Sequence, residues 1–574
     1  MKRDNQSEAY RQYIAEFYRG NIPAYFLMIL SAALISTLNL FVAWLMQQMA
    51  DAVSGVSGAL EINLLAALTT LVIALIIPLK ALKYISEPKF MQKAMTQFKN
   101  FAFQKLMQKN IASFHNETTS AYLSAFSNDL ASIETNYLEM QCELAFSLIW
   151  AGGALVLMLL YSPILTLAAI FFLIMPMIAS VITGKYLAAA EKEVSENNAE
   201  FVATFKDALS GFSVIKGFGA ENAALGLLTQ SSMAVEDSKC RKRKVNTVIS
   251  TISNIAGLMS QLGTFLVGAV LALSGRAITP GVLIAFISLT GALISSIQTI
   301  PELFAAKKAA AGLIYKIVSS LESNVSDEGA DIPNRLNQGI FINNLSFSYE
   351  QENEILHDID VSFEAGKSYA IVGNSGSGKS TLLNLLMSAY HDYSGTICFD
   401  DYELKDINSS SLYGLESMIE QNVFVFDASI RDNITMFREF KAEDINNAIT
   451  LSGLSELIAQ HGEDYMCGEN GRNLSGGEKQ RISIARSLLQ KSSVLLADEM
   501  TAALDAQTAY QVVNDILKLK DITRIIVTHT LAESLLQQYD AIVVLKDGRI
   551  IEKGTFDELM VRKGYFYALY TVAQ

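Results

Sequence analysis

Up to about residue 305 the apolar positions come in long blocks, at roughly 22–47, 62–85, 138–161, 163–187, 246–274 and 282–305. Each block is long enough to cross a hydrocarbon core of ~30 Å, so six membrane spans are predicted. Three connections are short, around 48–61, at Tyr161-Ser-Pro163 and around 275–281, whereas 86–137 and 188–245 are long. The long ones hold few turn signals and read as helices that continue out of the membrane and back. A soluble domain inserted in each is the alternative, against which stands the lack of strand patterning. Ahead of the first block, Tyr10, Tyr13, Ile14, Phe17 and Tyr18 share one helical face, with Arg11, Glu16 and Arg19 outside it. The spacing predicts an elbow helix over about 7–19 lying in the membrane interface, although a buried helix shows the same stripe.

Residues 322–339, ESNVSDEGADIPNRLNQG, are polar and broken by Pro and Gly, which marks a linker between a domain over 1–321 and one over 340–574. Beyond it the blocks shorten. Residues 340–349 alternate, 355–363 lead to the run 368–372, and 494–497 and 524–527 look like buried strands between helices. Residues 541–554 carry a hairpin signal at Asp547-Gly548.

Composition narrows the function classes. Hydrophobic residues make up 51% of 574 and charged ones 18%, too apolar for a soluble chain. A net charge of −14 disfavours nucleic acid as the main partner, since phosphate backbones are bound through concentrated Lys and Arg. Cys142, Cys240, Cys398 and Cys467 lie far apart and suggest neither a zinc site nor a disulfide framework. Lys2 and Arg3 precede an apolar run, from near Ile22, that outlasts a signal-peptide core, so it reads as a retained span. The long connections hold Lys89, Lys93, Lys99, Lys105 and Lys109, and Lys192, Lys206, Lys216 and Lys239 to Lys244, while the short loops add little beyond Arg276. The positive-inside rule then places both termini and both long connections in the cytosol, the chain spanning the plasma or inner membrane.

The run 368–372 is followed by GNSGSGKST, that is Gly373, Asn374, Ser375, Gly376, Ser377, Gly378, Lys379, Ser380 and Thr381. Glycines let successive N–H groups turn inward, and a helix starting near Ser380 points its positive end into the same nest. A polyphosphate fits there, with Lys379 reaching the β- and γ-phosphates and the Ser380 hydroxyl ligating Mg²⁺. Alone the pattern does not choose among kinases, GTPases and ATPases. The apolar run ending in Asp498 and Glu499 adds a carboxylate suited to Mg²⁺ and another placed to act as general base on water, which points to hydrolysis. The fold class expected is an all-α six-helix transmembrane domain followed by an α/β P-loop nucleotide-binding domain.

Between these motifs lies LSGGEKQR, with Ser475, Gly476, Gly477 and Glu478. Here the chain resembles the ATP-binding cassette transporters, and the resemblance extends over nearly its whole length. It implies that Ser475 and the two glycines open a helix whose N–H groups meet the γ-phosphate of ATP held by an opposite subunit, so two cassettes must meet. It further implies that Tyr349 stacks on adenine and that Gln421 contacts Mg²⁺ and the water. Asp505 matches the aspartate of the inter-subunit loop, and His529 the switch histidine at the γ-phosphate. Two positions depart from the pattern: Glu420 replaces the usual Pro, and Ala502 the usual Ser. Neither removes a catalytic group.

Six spans ahead of one cassette resemble half-transporter exporters, and residues 467–471 resemble their short loop ahead of the signature. Residues 114–123 with Asn128-Asp129, and 209–211 with 214–216, resemble the two intracellular coupling loops. The expectation is an ATP-hydrolysing exporter that works as a dimer by alternating access. Its cofactors would be ATP and Mg²⁺, its partner a second half-transporter, and its cargo an amphiphilic drug, lipid or small peptide. An ATP-gated channel or regulator is the alternative. About twenty residues precede the first span, leaving no room for a leader-peptidase domain. Along the spans, Ser250, Asn254 and Gln261 share one face, Ser296, Gln298 and Glu302 lie near Pro301, and Glu139 with Glu143 forms an acidic pair. These mark a candidate cargo path, with pairing of the acids to Lys80 and Lys83 as the alternative.

Overall fold

The computed structural model describes residues 2–115, 117–274, 278–322, 329–349 and 354–573. Arg276, Asn116 and residues 323–328 of the expected linker lie outside them. Two compact units result, Met1–Met107 with Thr119–Glu322, and Gln108–Thr118 with Ser323–Gln574.

The first unit is helical, built on α1 (Lys2–Tyr18), α2 (Ile22–Val53), α3 (Ile62–Met107), α4 (Met140–Tyr161), α5 (Pro163–Ser210), α6 (Glu221–Leu273) and α7 (Pro280–Glu322). At 1.5 Å per residue the 53 residues of α6 extend about 80 Å, far beyond a ~30 Å hydrocarbon core. The two long connections are thus helical, with the short helices Ile111–His115 and Phe212–Gly217 where the chain turns back. Among the described residues five helices are long and apolar enough to cross a membrane, and α5 adds the apolar run Pro163–Ile178. The side chains of 179–185, within the span read at 163–187, are outside the description. Between Thr119 and α4 the helix widens into π turns at Ala125–Asp129 and Glu134–Glu139, which hydrophobic periodicity does not announce.

The aromatic stripe of α1 faces protein rather than lipid. Tyr13 and Phe17 are fully buried; Phe17 stacks on Phe98 at 4.6 Å, and Tyr13 meets Phe101 edge-on at 4.8 Å. The Tyr13 hydroxyl donates to Glu322 at 3.3 Å, and Lys105 pairs with the same carboxylate at 3.0 Å. This corrects the interfacial reading of that face: the amphipathic period is the same whether the apolar side meets acyl chains or another helix. At the other end of the bundle, buried Asp51 accepts from the N–H of Gly281 at 2.9 Å, placing a carboxylate on the positive end of α7. A Cβ at Gly281 would run into the Gln47 carbonyl oxygen, so the contact requires glycine.

The second unit holds an antiparallel sheet in the order β2-β1-β4-β5 and a six-stranded sheet in the order β10-β9-β3-β8-β7-β6. Their ranges are β1 Gly339–Ser348, β2 Glu354–Glu364, β3 Ser368–Val372, β4 Ser394–Phe399, β5 Tyr402–Glu403, β6 Glu416–Ile419, β7 Val494–Asp498, β8 Thr523–Val527, β9 Ala541–Lys546 and β10 Arg549–Gly554. Strands β9, β3, β8, β7 and β6 run parallel, so their carboxyl ends open on one edge. Every residue of β3, β7 and β8 is buried, which explains why they read as continuous apolar runs instead of alternating ones. Asp547 and Gly548, at φ of 47° and 73°, make the β9–β10 turn. Segment Gln108–Thr118 belongs to this unit, where the Ile111 N–H donates to the Tyr413 hydroxyl at 3.1 Å.

Candidate functional site: a phosphate-loop ATPase centre

Four loops leave the carboxyl edge of the parallel sheet: the phosphate loop after β3, Gln421 after β6, Asp498 and Glu499 at the end of β7, and His529 after β8. The edge of a parallel sheet is where an α/β fold gathers its ligand groups. Register brings them together, since Ile371 pairs with Val527, Asp498 with Val527, and Ile419 with Ala497.

In the phosphate loop, Lys379 is 5% exposed and donates to the carbonyls of Gly373 and Asn374, both at 2.9 Å. Burial holds its ammonium below the ordinary lysine range, opposed by the nearby charges of Glu499 and Asp498. Gly378 has φ of 98°, and a Cβ there would meet the Leu356 side chain at 2.5 Å, so this turn into the helix Lys379–Leu386 accepts only glycine. The Ser377 hydroxyl is buried and, among the described residues, has no partner. Tyr349 places its hydroxyl 3.1 Å from Thr381 Oγ1 and its ring edge-on to Phe347 and Tyr390, leaving one side open.

Asp498 is 6% exposed and takes a hydrogen bond from Ser380, while its Oδ1 has no partner among the described residues. Burial raises its carboxyl above the usual range, with the Glu499 charge adding and Lys379 and His529 opposing. An orphaned carboxylate oxygen beside a serine hydroxyl is the oxygen donor set that suits Mg²⁺. Among the described residues no group of three His, Cys, Asp or Glu side chains is placed to hold a metal ion, so the ion's remaining ligands would be waters and phosphate oxygens, as Mg²⁺ prefers.

Glu499 sits at φ of 48°, left-handed for a residue with a Cβ. Its Oε2 accepts from Gln421 Nε2 at 2.8 Å, and its Oε1 lies 2.8 Å from His529 Nε2. The three residues expected to handle water therefore meet at one carboxylate. Gln480, within LSGGEKQR but given no role by sequence, holds this group from behind. Its Nε2 donates to the Glu499 carbonyl at 3.0 Å, and its Oε1 accepts from the Ala503 N–H at 2.9 Å. Its place in a recognisable motif was the only sequence signal for it.

The signature residues make a different constellation. Ser475 caps the helix Gly476–Gln490: its hydroxyl accepts from the Glu478 N–H at 3.3 Å, and Glu478 Oε2 accepts from the Ser475 N–H at 2.7 Å. A Cβ on Gly477 would come within 3.0 Å of the Ala503 carbonyl oxygen, so the small residues allow the two loops to pack. Asp505 caps the helix Ala506–Leu517 through the Thr508 N–H at 3.0 Å, and these hydrogen bonds hold its carboxyl below the usual range. Among the described residues, none of the hydrogen bonds of Ser475, Glu478 or Asp505 reaches the phosphate loop.

In the helical unit the candidate cargo residues divide. Ser296 is buried and its hydroxyl donates to the Ser147 carbonyl at 3.3 Å, which makes it a packing residue. Ser250, Asn254 and Glu302 are exposed, and Gln261 is half-buried beside Gly291. Glu143 pairs with Lys83 at 3.2 Å, the alternative weighed for it from sequence, while Glu139 is exposed.

Residues 356–502 match the family described as ABC transporter, and residues 25–297 match the ABC transporter transmembrane region. An ATP-dependent lipid A-core flippase of Legionella pneumophila is 31% identical over 71% of this chain and 70% of its own. The uncharacterized ABC transporter ATP-binding protein YwjA of Bacillus subtilis is 29% identical over 83% of each chain. In fold, a bacterial Atm1-family ABC exporter solved with ATP bound superposes with a TM-score of 0.82, at 23% identity, over 97% of this chain and 98% of that one. The chain belongs to the ABC transporters, as an exporter-type half-transporter whose cassette is an ATPase.

Proposed function

We propose that this chain is an ATP-driven exporter which moves an amphiphilic substrate out of the cytosol, pairing two copies and alternating access. The observation that carries the reading is the Glu499 carboxylate held between Gln421 and His529 at 2.8 Å each. A device that only bound ATP to gate a pore would have no use for an oriented base. In this reading Lys379 takes the β- and γ-phosphates, and Ser380, Asp498 and Gln421 hold Mg²⁺, which neutralises charge on the transferring phosphate. Glu499 receives the proton of the attacking water, His529 contacts the γ-phosphate, and Tyr349 meets the adenine. Ser475, Gly476, Gly477, Glu478 and Asp505 face the ATP of the second copy.

The domains run over 1–321 and 340–574, joined by 322–339. The basic residues of 86–137 and 188–245 support a cytosolic position for the cassette and both termini. A homodimer follows from the complete set of ATP residues in one chain, and relatives named as lipid A-core flippases support a lipid-like cargo. Driving the membrane domain from 1:99 to 99:1 requires ATP to favour one state by about 5.5 kcal/mol, which charge-assisted contacts to Lys379 and Mg²⁺ can supply.

The test is ATP-dependent accumulation of labelled amphiphiles in inside-out liposomes reconstituted with this chain alone, beside Glu499→Gln. Uptake that needs ATP and is lost in the variant supports the reading. ATPase activity that appears only with a second gene product would overturn the homodimer, and a conductance without turnover would favour the gated channel.

A further inference from the structure

A cavity of about 310 Å³ opens between α2, α3 and α4 in the helical unit. Its lining includes the apolar side chains of Leu38 of α2, Leu79 of α3 and Phe146 of α4, with Asn39 and Cys142 beside them. The same lining carries Lys80, Lys83 and Glu143. Lys83 is committed, lying 3.2 Å from Glu143 Oε1 and 3.7 Å from Glu87 Oε2. One turn away on the same helix, Lys80 makes no ion pair or hydrogen bond among the described residues. Glu143 spends only Oε1 on Lys83, and its Oε2 accepts no hydrogen bond there. The cavity thus presents one unpaired cation and one half-free carboxylate, the latter already holding Lys83 through its other oxygen, with apolar side chains in the same lining.

We infer that this cavity holds the zwitterionic head of an amphiphile, an ammonium on Glu143 Oε2 and a phosphate or carboxylate on Lys80. Both contacts are charge-assisted hydrogen bonds, about twice as strong as neutral ones. A purely anionic head would satisfy Lys80 but lie against Glu143, and like charges brought together cost affinity. A purely cationic head would leave Lys80 unpaired. The volume is at the lower end for small-molecule sites, enough for the head and the start of an apolar chain. Lys80 and Lys83 fall in the last turns of the span read at 62–85, where ionisable groups mark substrate paths. Two sources share this chemistry, an aminophospholipid and a short apolar peptide with free ends. The inference rests on the export reading only in calling the occupant cargo.

The test uses the full chain in detergent without nucleotide, read by tryptophan fluorescence, since the Trp150 ring is 5.4 Å from Phe146 on the cavity wall. The probes are lysophosphatidylethanolamine, lysophosphatidylglycerol and a free-ended tripeptide of leucine. At least one zwitterionic probe is expected to bind about tenfold or more tightly than lysophosphatidylglycerol, and which one does so identifies the source. Glu143→Gln removes the carboxylate that meets the ammonium and leaves Lys83 with Glu87 alone, so it should weaken the zwitterion about tenfold and turn the preference toward the anionic lipid. Lys80→Gln should weaken it similarly, and Lys80→Arg should restore it, which a folding defect would not. Equal affinity for zwitterionic and anionic heads, or no change of preference in Glu143→Gln, overturns the site. If the head binds selectively yet ATP drives no transport, the export reading falls and the site stands. Transport of both head types alike, with no selective binding, leaves export standing and removes the site.

Discussion

The phosphate-loop face and the signature face of the cassette carry equally recognisable motifs, yet they treat their polar groups in opposite ways. Around the phosphate loop, the Ser377 hydroxyl and Asp498 Oδ1 are buried with no partner among the described residues, and Lys379 turns back on its own loop carbonyls. At the signature, Ser475 and Glu478 satisfy each other, and Asp505 caps the helix that follows it. A buried polar group without a partner costs about 1–3 kcal/mol, so the first face is complete only with a ligand. The second face costs nothing while it waits. An exposed helix N-terminus, already capped, is a surface ready to meet charge presented from outside.

That contrast is broken first at its most reactive points. Lys379→Ala removes the cation from a site that already holds Asp498 and Glu499, and phosphate release should fall about 100-fold or more. Glu499→Gln keeps the hydrogen bond from Gln421 but removes the base, so hydrolysis should fall between about 10² and 10⁴-fold while a fluorescent ATP analogue still binds. Near wild-type turnover in Glu499→Gln would show that this carboxylate does not receive the proton, and the difference between the two faces would lose its chemical meaning.

How far the sequence foresaw these faces follows from what each residue is constrained by. The phosphate loop is legible because its geometry admits few residue types: Gly378 at φ of 98° against Leu356, and Gly373, whose Cβ would strike the Leu545 carbonyl. Asp498 and Glu499 are legible because a buried strand has to end on them. Gln480 is hidden, since an amide bridging two backbone groups leaves no periodicity. The stripe of Tyr13 and Phe17 is legible as a stripe but not as a contact, because apolar spacing does not say whether lipid or the side chain of Phe98 lies opposite. The Tyr349 hydroxyl on Thr381 is equally silent in the sequence, 32 positions apart.

Glu416 sharpens the comparison, because it shares the unmet state of Asp498 without a site around it. It begins β6, is fully buried, and neither carboxylate oxygen has a partner among the described residues. Burial pushes its carboxyl well above the usual range, so the folded chain keeps a proton that the unfolded chain gives up. The sign follows. Its contribution is intact below the ordinary glutamate range near pH 4.5, and stability is lost as pH rises from there through the raised folded value. Glu416→Leu should stabilise the full chain at pH 7.5 by about 2 kcal/mol, read as a shift in the cassette's unfolding transition. The gain should shrink toward pH 4.5. No gain at pH 7.5 would mean that the burial of an unpaired carboxyl is harmless here, and the orphaned Asp498 oxygen would then lose its value as a ligand signal.

The smallest expected effect tests the quiet face. If Ser475 serves only as a helix cap until a second cassette arrives, Ser475→Ala should cost about 1 kcal/mol of stability in nucleotide-free protein, the usual value of a lost cap. Ser475→Thr should keep most of it, because the hydroxyl still reaches the Glu478 N–H. The same substitution should act on ATP only where two chains meet. Nucleotide binding to dilute chains should be unchanged, while turnover at high protein density in liposomes should fall. Measuring both variants by thermal unfolding, and by ATPase at several protein-to-lipid ratios, separates the roles. A loss of ATP affinity in dilute Ser475→Ala chains would place the signature serine at the ATP of its own chain and erase the distinction between the faces.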